Sequence, residues 1–405
     1  MSKEAGVDVL DVSRGNISSA AVKYEVPPID VPKNFNVPNA ARIKKETGML
    51  TVAVGRINDP QQADDILSSG QADMVVIGRG QLADADFCNK ALEGRASSIV
   101  KCVGCNQGCF DGYVSPDVPF ITCLRNPALG REAEYLLVQA EESKKVLIAG
   151  GGVGGLEAAL TLKRRGHHPI LCEATDSLGG QFALAGEAPR KGEMKDAALA
   201  MGEMAMTEGI DIRLSALVTP ELLDEIKPDL VIIAIEAEPF ELNIPGVKLP
   251  HVTNSHDVLD GLVAPKGNVV VVGGGLVGLE VAEYLAEQGS QITVVEMQDG
   301  VAKDLGQLRK ICVMESMYAH KINTILNAKC TEIKDGAIIL DVEGVSKEVP
   351  CDGIVMAIGV KSRSAEEIIT YCNQHNIPHY TIGDALHPRR ALDATAEAAK
   401  VARVI

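Results

Sequence analysis

Four cysteines in one short segment are the residues best suited to redox chemistry. Cys102, Cys105, Cys109 and Cys123 are separated by two, three and thirteen residues. Four soft thiolates at such spacings suit a [4Fe–4S] cluster, and Gly104 gives the backbone freedom to wrap around it. The alternative is a tetrahedral zinc site, which usually pairs two separated C-x-x-C knuckles. The spacing therefore favours iron–sulfur over zinc, with unligated thiols a remote third interpretation.

A glycine-rich turn follows the cysteines. Gly150, Gly152 and Gly155 lie between a predicted strand and a helix predicted over 156–165. Glycines at these positions permit a tight turn, close approach of a pyrophosphate to backbone N–H groups, and close helix packing. Glu173 follows Gly150 by 23 residues, at the end of the next predicted strand, where a carboxylate can accept hydrogen bonds from a ribose diol. The pattern predicts a nucleotide site, the alternative being a purely structural turn.

A second turn repeats this pattern. Gly273, Gly275 and Gly278 follow a predicted strand, and Glu296 stands 23 residues after Gly273. A carboxylate there favours NAD(H), because the 2′-phosphate of NADP(H) would meet a like charge. The second site is therefore predicted to bind NADH.

Composition limits the function classes. The 405 residues suffice for two to four domains, and 46% apolar content suits an α/β architecture. A net charge of −16 argues against nucleic acid and anionic membrane as partners. The chain shows neither an apolar run long enough to span a bilayer nor a secretory signal. Ten cysteines without such a signal indicate ligands or free thiols in a reducing cytoplasm, and nothing indicates an oligomeric state.

The first hundred residues alternate apolar strands with helices, as in parallel β/α units. The predicted elements are strands over 7–12, 50–54 and 74–77 and helices over 37–46 and 61–67. Three strands cannot close a barrel, so this part is expected to be incomplete. A further, charged helix is predicted around Arg131 to Glu142.

The two glycine turns, followed by Gly383-Asp384, resemble the flavoproteins of the pyridine-nucleotide:disulfide oxidoreductase type. The resemblance implies that the first turn binds FAD, the second binds the nicotinamide cofactor, and the Gly-Asp pair contacts FAD. The FAD set is then Gly150, Gly152, Gly155, Glu173, Gly180, Gln181, Gly383 and Asp384. The nicotinamide set is Gly273, Gly275, Gly278 and Glu296.

One departure from that family lies at the crossing between the two domains. Where relatives carry an Ala-Thr-Gly-like stretch, this chain has Ala234-Ile235-Glu236, while the later counterpart keeps Ala357-Ile358-Gly359. A side chain in place of glycine is expected to crowd a close backbone approach.

Further motifs narrow the resemblance. In order they are Asn58-Asp59-Pro60, Gly78-Arg79, Leu82-Ala83-Asp84, the segment from Cys105 to Cys109, and Asn126-Pro127. They resemble the NADH:flavin oxidoreductases related to 2,4-dienoyl-CoA reductase, 2-enoate reductase and trimethylamine dehydrogenase. That family joins an Old Yellow Enzyme-type FMN barrel, an iron–sulfur cluster, and FAD and NAD(P)H domains. The resemblance implies that electrons pass from NADH through FAD and the cluster to FMN, and then to an activated C=C bond.

Only the end of the barrel has a counterpart. Residues 6–13, 51–56 and 74–79 resemble barrel strands six to eight, so the chain is expected to be N-terminally truncated relative to the family. At the strand ends, FMN phosphate would be held by Gly55, Arg56, Gly78 and Arg79. The alternative for the two arginines is a solvated charge at the barrel rim. The family's substrate residues lie in the missing strands, so no catalytic residue is named.

The sequence thus predicts an α/β chain with the C-terminal part of a (β/α)8 barrel, a four-cysteine segment and two Rossmann-like domains. The expected boundaries are 1–98 for the barrel part, 99–140 for the cluster segment and linker, 141–262 and 363–405 for FAD, and 263–362 for NAD(H). The expected activity is NADH-dependent reduction of a small unsaturated carbonyl compound. Two alternatives remain: an electron-donor, diaphorase-like subunit whose missing barrel strands come from a separate chain, and an inactive remnant.

Overall fold

The described residues fold as two compact units. A computed structural model describes residues 3–405. The first unit comprises the described residues up to Leu136 together with Gly306–Ile311, and the second comprises Leu137–Leu305 and Cys312–Ile405. In the part of the chain that the structure describes, no helix has both the length and the apolar character needed to cross a lipid bilayer.

The first unit contains a small parallel sheet with order β1-β2-β3. Its strands are β1 (Val9–Val12), β2 (Leu50–Ala53) and β3 (Met74–Val75). Its helices are α1 (Val37–Thr47), α2 (Pro60–Ser68), α3 (Arg79–Ala83), α4 (Phe87–Leu92) and α5 (Phe110–Val114). Helix α2 begins where the sequence predicts, because the Asp59 side chain accepts a hydrogen bond from Gln61 N and Pro60 needs no donor at the first helical position. The predicted strands and helices of this segment are confirmed, and the strands are shorter than expected.

The prediction of a charged helix around Arg131 to Glu142 is wrong. Residues 132–135 form turns, and residues 136–140 are irregular. The backbone N–H of Ala140 donates to Arg165 O at 2.8 Å, and Gln139 Nε2 donates to Arg164 O at 2.8 Å. These bonds to a distant turn replace the local bonds of a helix, so tertiary contacts override helix propensity here.

The second unit carries the two glycine turns and most of the regular structure. Its strands are β4 (Lys145–Ala149), β5 (His168–Cys172), β6 (Asp211–Arg213), β7 (Leu230–Ile233), β8 (Ala237–Pro239), β9 (Val252–Asn254), β10 (Asn268–Val272), β11 (Gln291–Val295), β12 (Asn323–Ile325), β13 (Ala328–Lys334), β14 (Ala337–Val342), β15 (Val345–Pro350), β16 (Gly353–Met356), β17 (Val360–Ser362) and β18 (His379–Thr381). The helices that follow in the chain are α6 (Val153–Arg164), α7 (Gly180–Ala185), α8 (Gly192–Thr207), α9 (Pro220–Ile226), α10 (Ser255–Leu259), α11 (Leu276–Glu287), α12 (Gln307–Ala319), which starts among the residues of the first unit, α13 (Glu366–His375) and α14 (Ala391–Ala402).

Two five-stranded parallel sheets organise this unit. The first nucleotide region is built on the order β18-β7-β4-β5-β6, and the second nucleotide region on the order β12-β11-β10-β16-β9. The central strands β4 and β10 are buried beyond their first residue, as expected for strands covered on both faces. An antiparallel sheet of β13, β14 and β15 lies between β12 and β16 in the chain. The two connections between the regions pair with each other as the antiparallel ribbon β8–β17, with Ala237 opposite Ser362.

Candidate cofactor sites

The four cysteines come from two loops that hydrogen bonds hold together. Thr122 N donates to Gly108 O at 2.9 Å, and a Cβ at Gly108 would lie 2.4 Å from Thr122 O. The first loop turns at Gly104, which has a φ of 67°. Only a glycine at position 108 leaves room for Thr122 to approach this closely. The two loops can therefore lie side by side, which brings Cys109 and Cys123 near each other.

The cysteine thiols share a poorly solvated space. Burial raises the pKa of Cys105, and Cys102, Cys109 and Cys123 all raise it further through their charge. Burial likewise raises the pKa of Cys109, and it raises the pKa of Cys123 to about 11. Arg79 is a cation that opposes this rise at Cys109. Thiolates in such a place need positive charge, which metal ions supply.

Backbone donors already point at two of the sulfurs. Gly104 N donates to Cys102 Sγ at 3.4 Å, and Arg125 N donates to Cys123 Sγ at 3.4 Å. Among the described residues, no three of the four sulfurs lie within 4.8 Å of one another. The two loops thus offer four soft thiol donors of the kind that an inorganic cluster takes, and among residues 3–405 the sulfurs do not form a closely spaced ligand set.

The predicted FMN-phosphate residues line a cavity of about 300 Å³ in the first unit, together with Cys102. Arg56 is buried, with a φ of 55°, and its Nη1 donates to the carbonyl oxygens of Ile29 and Val31. Arg79 Nη1 donates to Asn106 Oδ1, and its Nη2 donates to Pro27 O at 2.7 Å. The solvated-charge alternative fails for Arg56, because its side chain is buried.

The same arginines connect the barrel segment to the cysteine loop. Asn106, which lies between Cys105 and Cys109, is buried, and its Nδ2 donates to Val26 O at 2.9 Å. Arg79 bonds to this same side chain. No local pattern could predict this link, because the partners stand 27 and 80 residues apart in the chain.

The first glycine turn has the predicted form. A Cβ at Gly150 would lie 2.2 Å from Ala234 O, and one at Gly155 would lie 2.0 Å from Gly150 O. Helix α6 begins at Val153, three residues earlier than predicted. Glu173 lies directly after β5 and its Oε2 accepts from Gly151 N at 2.7 Å, so the acid also fixes the turn.

The second turn repeats the same contacts. A Cβ at Gly273 would lie 2.2 Å from Ala357 O, and one at Gly278 would lie 2.0 Å from Gly273 O. Glu296 Oε2 accepts from Gly274 N at 2.7 Å. Sequence analysis missed Asp304, whose Oδ2 accepts from the N–H of Leu276, the first residue of α11, at 3.0 Å.

Two pairs of residues that are also predicted to contact FAD lie near the first turn. Gly180 opens α7 with a φ of 49°, and Gln181 Nε2 donates to Ala237 O at 3.1 Å. Gly383 has a φ of 61°, and Asp384 Oδ1 accepts from Arg389 N at 2.9 Å. Burial raises the pKa of Asp384.

A cavity of about 1240 Å³ opens beside the first turn. It is lined by Gly150, Glu173 and Glu236, with residues 216–221 and 363–368 on other sides. The glycine framework thus fits a dinucleotide, whereas the carboxyl group of Glu236 stands inside the site.

Glu236 is the feature that does not match an open FAD site. Its Oε1 accepts from Gln181 N at 3.0 Å. A Cβ added at Gly152 would lie 2.5 Å from this Oε1, and a Cβ added at Gly180 would lie 1.8 Å from it. The expected crowding by the Glu236 side chain is therefore present in the structure.

Comparisons with known proteins agree with this organisation. Residues 144–377 match the family described as pyridine nucleotide-disulphide oxidoreductase, and residues 1–98 match the NADH:flavin oxidoreductase / NADH oxidase family. The chain is 35% identical to an NADH oxidase of Thermoanaerobacter brockii, over 99% of this chain and 62% of that protein. It is 32% identical to a cinnamate reductase of Clostridium sporogenes, over 99% of this chain and 60% of that protein.

A solved structure shows the same fold. A complex of 2-naphthoyl-CoA reductase with 2-naphthoyl-CoA superimposes with a TM-score of 0.91 at 27% identity, covering 98% of this chain and 60% of that one. The chain therefore spans about three-fifths of the length of these relatives. Over its larger part the chain belongs to the pyridine nucleotide-disulphide oxidoreductases, with FAD- and NAD(H)-binding domains, and its first 98 residues are a segment of the NADH:flavin oxidoreductase / NADH oxidase family.

Proposed function

We propose that this chain is an NADH-dependent flavin and iron–sulfur oxidoreductase that delivers electrons towards FMN and an activated C=C bond. The observation that carries the proposal is that four partly buried thiols in two adjoining loops lie near enough for their charges to interact, in a chain that also has two dinucleotide-type regions. The names of the two curated relatives describe an NADH oxidase and a reductase of cinnamate, which is an unsaturated acid. They support a small unsaturated carbonyl compound as the substrate class.

The spacing of the cysteines along the chain supports iron–sulfur over zinc. Their separations of two, three and thirteen residues do not pair into the two separated C-x-x-C knuckles that a tetrahedral zinc site usually uses. Cys102, Cys105, Cys109 and Cys123 would be the ligands of the cluster.

The two nucleotide regions divide the cofactor work. We assign residues 141–262 and 363–405 to FAD and residues 263–362 to NADH, with Glu173 and Glu296 as acceptors for the ribose hydroxyls. When bound, the flavin would accept a hydride from the nicotinamide, and the cluster would accept electrons singly. The protein's own contribution is to hold each turn rigid, since Glu173 accepts from Gly151 N and Glu296 accepts from Gly274 N.

The barrel segment supplies part of an FMN site. Gly55, Arg56, Gly78 and Arg79 line its cavity, and we assign them to the phosphate. A second candidate function follows from the three-stranded sheet, which has two strands with a free edge among the described residues. In it the chain is a diaphorase-like donor, and a separate chain completes the barrel and reduces the C=C bond.

An anaerobic absorbance spectrum with iron, sulfide and flavin measured per chain tests the proposal. Cys105→Ser should abolish the broad visible absorbance of the cluster and leave flavin binding intact. Cys88→Ser is the matched control, because Cys88 is exposed and lies outside the cysteine loops. A Cys105→Ser protein that keeps its iron and its electron flow would refute the ligand assignment.

Steady-state assays separate the two candidate functions. An enzyme with a working substrate site should oxidise NADH faster when cinnamate is added. A donor subunit should reduce ferricyanide with NADH while leaving cinnamate untouched. A protein that contains neither iron nor flavin would reject both.

A further inference from the structure

The two crossing segments have the same backbone and different side chains. The first crossing segment is Ala234-Ile235-Glu236 and the second is Ala357-Ile358-Gly359, each directly before a strand of the β8–β17 ribbon. Ala234 N donates to Ala149 O and Ala357 N donates to Val272 O, both at 2.8 Å. The residue that ends each segment has a positive φ, 66° for Glu236 and 99° for Gly359.

The space beyond the two crossing segments differs. A Cβ at Gly359 would meet nothing within 4 Å, and the carboxylate near the start of α11 comes from Asp304 instead, whose Oδ2 accepts from Leu276 N at 3.0 Å. In the first site the Glu236 carboxyl group fills the corresponding space, against Gly152 at the start of α6 and against Gly180. The start of a helix after such a turn is where a pyrophosphate is normally held.

We propose that Glu236 occupies the anion position of the first nucleotide site, so that a dinucleotide diphosphate binds there only with this carboxyl group protonated. The inference rests on the proposed assignment of this region to FAD, and it adds a proton to the binding step. A phosphate and a carboxylate cannot share one set of donors without strong repulsion.

The charges around Glu236 support a carboxyl group that holds its proton. The pKa of Glu236 is raised to about 7, chiefly by burial and also by the negative charges of Glu173 and Asp384, which outweigh the N–H of Gln181 and the cation of Arg363. Asp384 itself faces Arg389, Asp393 and Glu397. Below pH 7 the neutral acid can stay in place beside a diphosphate, and above pH 7 the diphosphate must first bring in a proton.

Titration of the full chain with FAD between pH 6 and pH 8.5 tests this proposal. Wild-type affinity should fall by up to about tenfold for each pH unit above 7, because one proton is taken up per FAD bound. Glu236→Gln should bind FAD with a flat pH profile, and Glu236→Gly should bind at least about tenfold more tightly than wild type at pH 8. Glu238→Gln should keep the wild-type profile, since Glu238 pairs with Lys361 at 3.1 Å and is more exposed.

The outcomes distinguish this inference from the proposed function. If the wild type and all three variants bind FAD equally at every pH, the carboxyl group does not control the site, and the FAD assignment stands. If no variant binds FAD, Glu236→Gly included, the FAD assignment itself is wrong and the inference falls with it.

Discussion

The first and second nucleotide regions differ in the origin of the carboxyl group that lies beside the start of the helix. Both have an equivalent strand order around their glycine turns and the same backbone at the crossing segment. In both, a glutamate accepts a hydrogen bond from the glycine that follows the first glycine of the turn. The second region ends its crossing segment with Gly359, which adds no side chain, and its carboxylate comes from Asp304, bonded to Leu276 N. The first ends it with Glu236, which supplies the carboxyl group itself.

This difference shows that a glycine fingerprint reports backbone form more than binding. Gly150 and Gly273 are both required by a carbonyl oxygen of the crossing segment, 2.2 Å from the Cβ that each lacks. That requirement is structural, and it holds whether or not a cofactor binds. The residues that face the ligand space carry the functional information, and there the two regions diverge.

The largest expected effect concerns the ion pair that joins the two regions. Lys191 Nζ pairs with Glu280 of α11, and the two side chains are only 4% and 5% exposed. Lys191→Ala should lower the free energy of unfolding by about 3–5 kcal/mol, because it leaves a buried charge without its main counter-ion. Chemical denaturation would measure this.

Lys195→Ala provides the matched comparison for that ion pair. Lys195 pairs with Glu187, and the side chains are 47% and 38% exposed. Its loss should cost at most about 1 kcal/mol, since exposed pairs contribute little. Equal effects of the two substitutions would mean that the regions are not held together by the buried pair.

The next effect sharpens the comparison of the crossing segments. The pKa of Glu236 is raised to about 7 in the folded chain, whereas a free glutamate carboxyl group titrates near 4.5. Between these pH values the folded state binds more protons than the unfolded state, so stability falls as pH rises from 4.5 to 7 and then levels off. Glu236→Gln should therefore stabilise the cofactor-free protein by about 2–3 kcal/mol at pH 8 and by little at pH 4.5.

Thermal melts of cofactor-free protein at the two pH values would measure that difference. A pH-independent gain would assign the effect to packing and not to charge. Gly359 offers no titrating group, so the second crossing segment contributes nothing to this profile.

The smallest expected effect lies in the second region. Glu296→Arg should shift the preference from NADH towards NADPH by about tenfold in kcat/KM, because the guanidinium attracts a 2′-phosphate. Glu173→Arg is the mirror variant and should leave the nicotinamide preference unchanged. If both variants shift the preference equally, the assignment of the two regions to different cofactors is wrong.

Local patterns predicted the parts of this protein that local chemistry controls. The strand, turn, helix and acid around Gly150 and Gly273 follow from spacing alone. The helix predicted around Arg131 to Glu142 failed, because its backbone bonds to residues that come later in the chain. The sequence analysis identified Glu236 as unusual, but its meeting with Gln181, 55 residues away in sequence, required the fold.

The position of the second region between β8 and β17 has a consequence for the order in which the chain folds during synthesis. Strand β18 borders β7, and α14 packs against α6, yet both are encoded after the entire second region. During synthesis the first sheet therefore lacks an edge strand and one covering helix until about 150 more residues have left the ribosome. The second region, which lies between the two strands of the ribbon, has all of its sheet by then. The second nucleotide region can therefore fold first, whereas the first nucleotide region cannot complete its sheet until β18 and α14 have been synthesised.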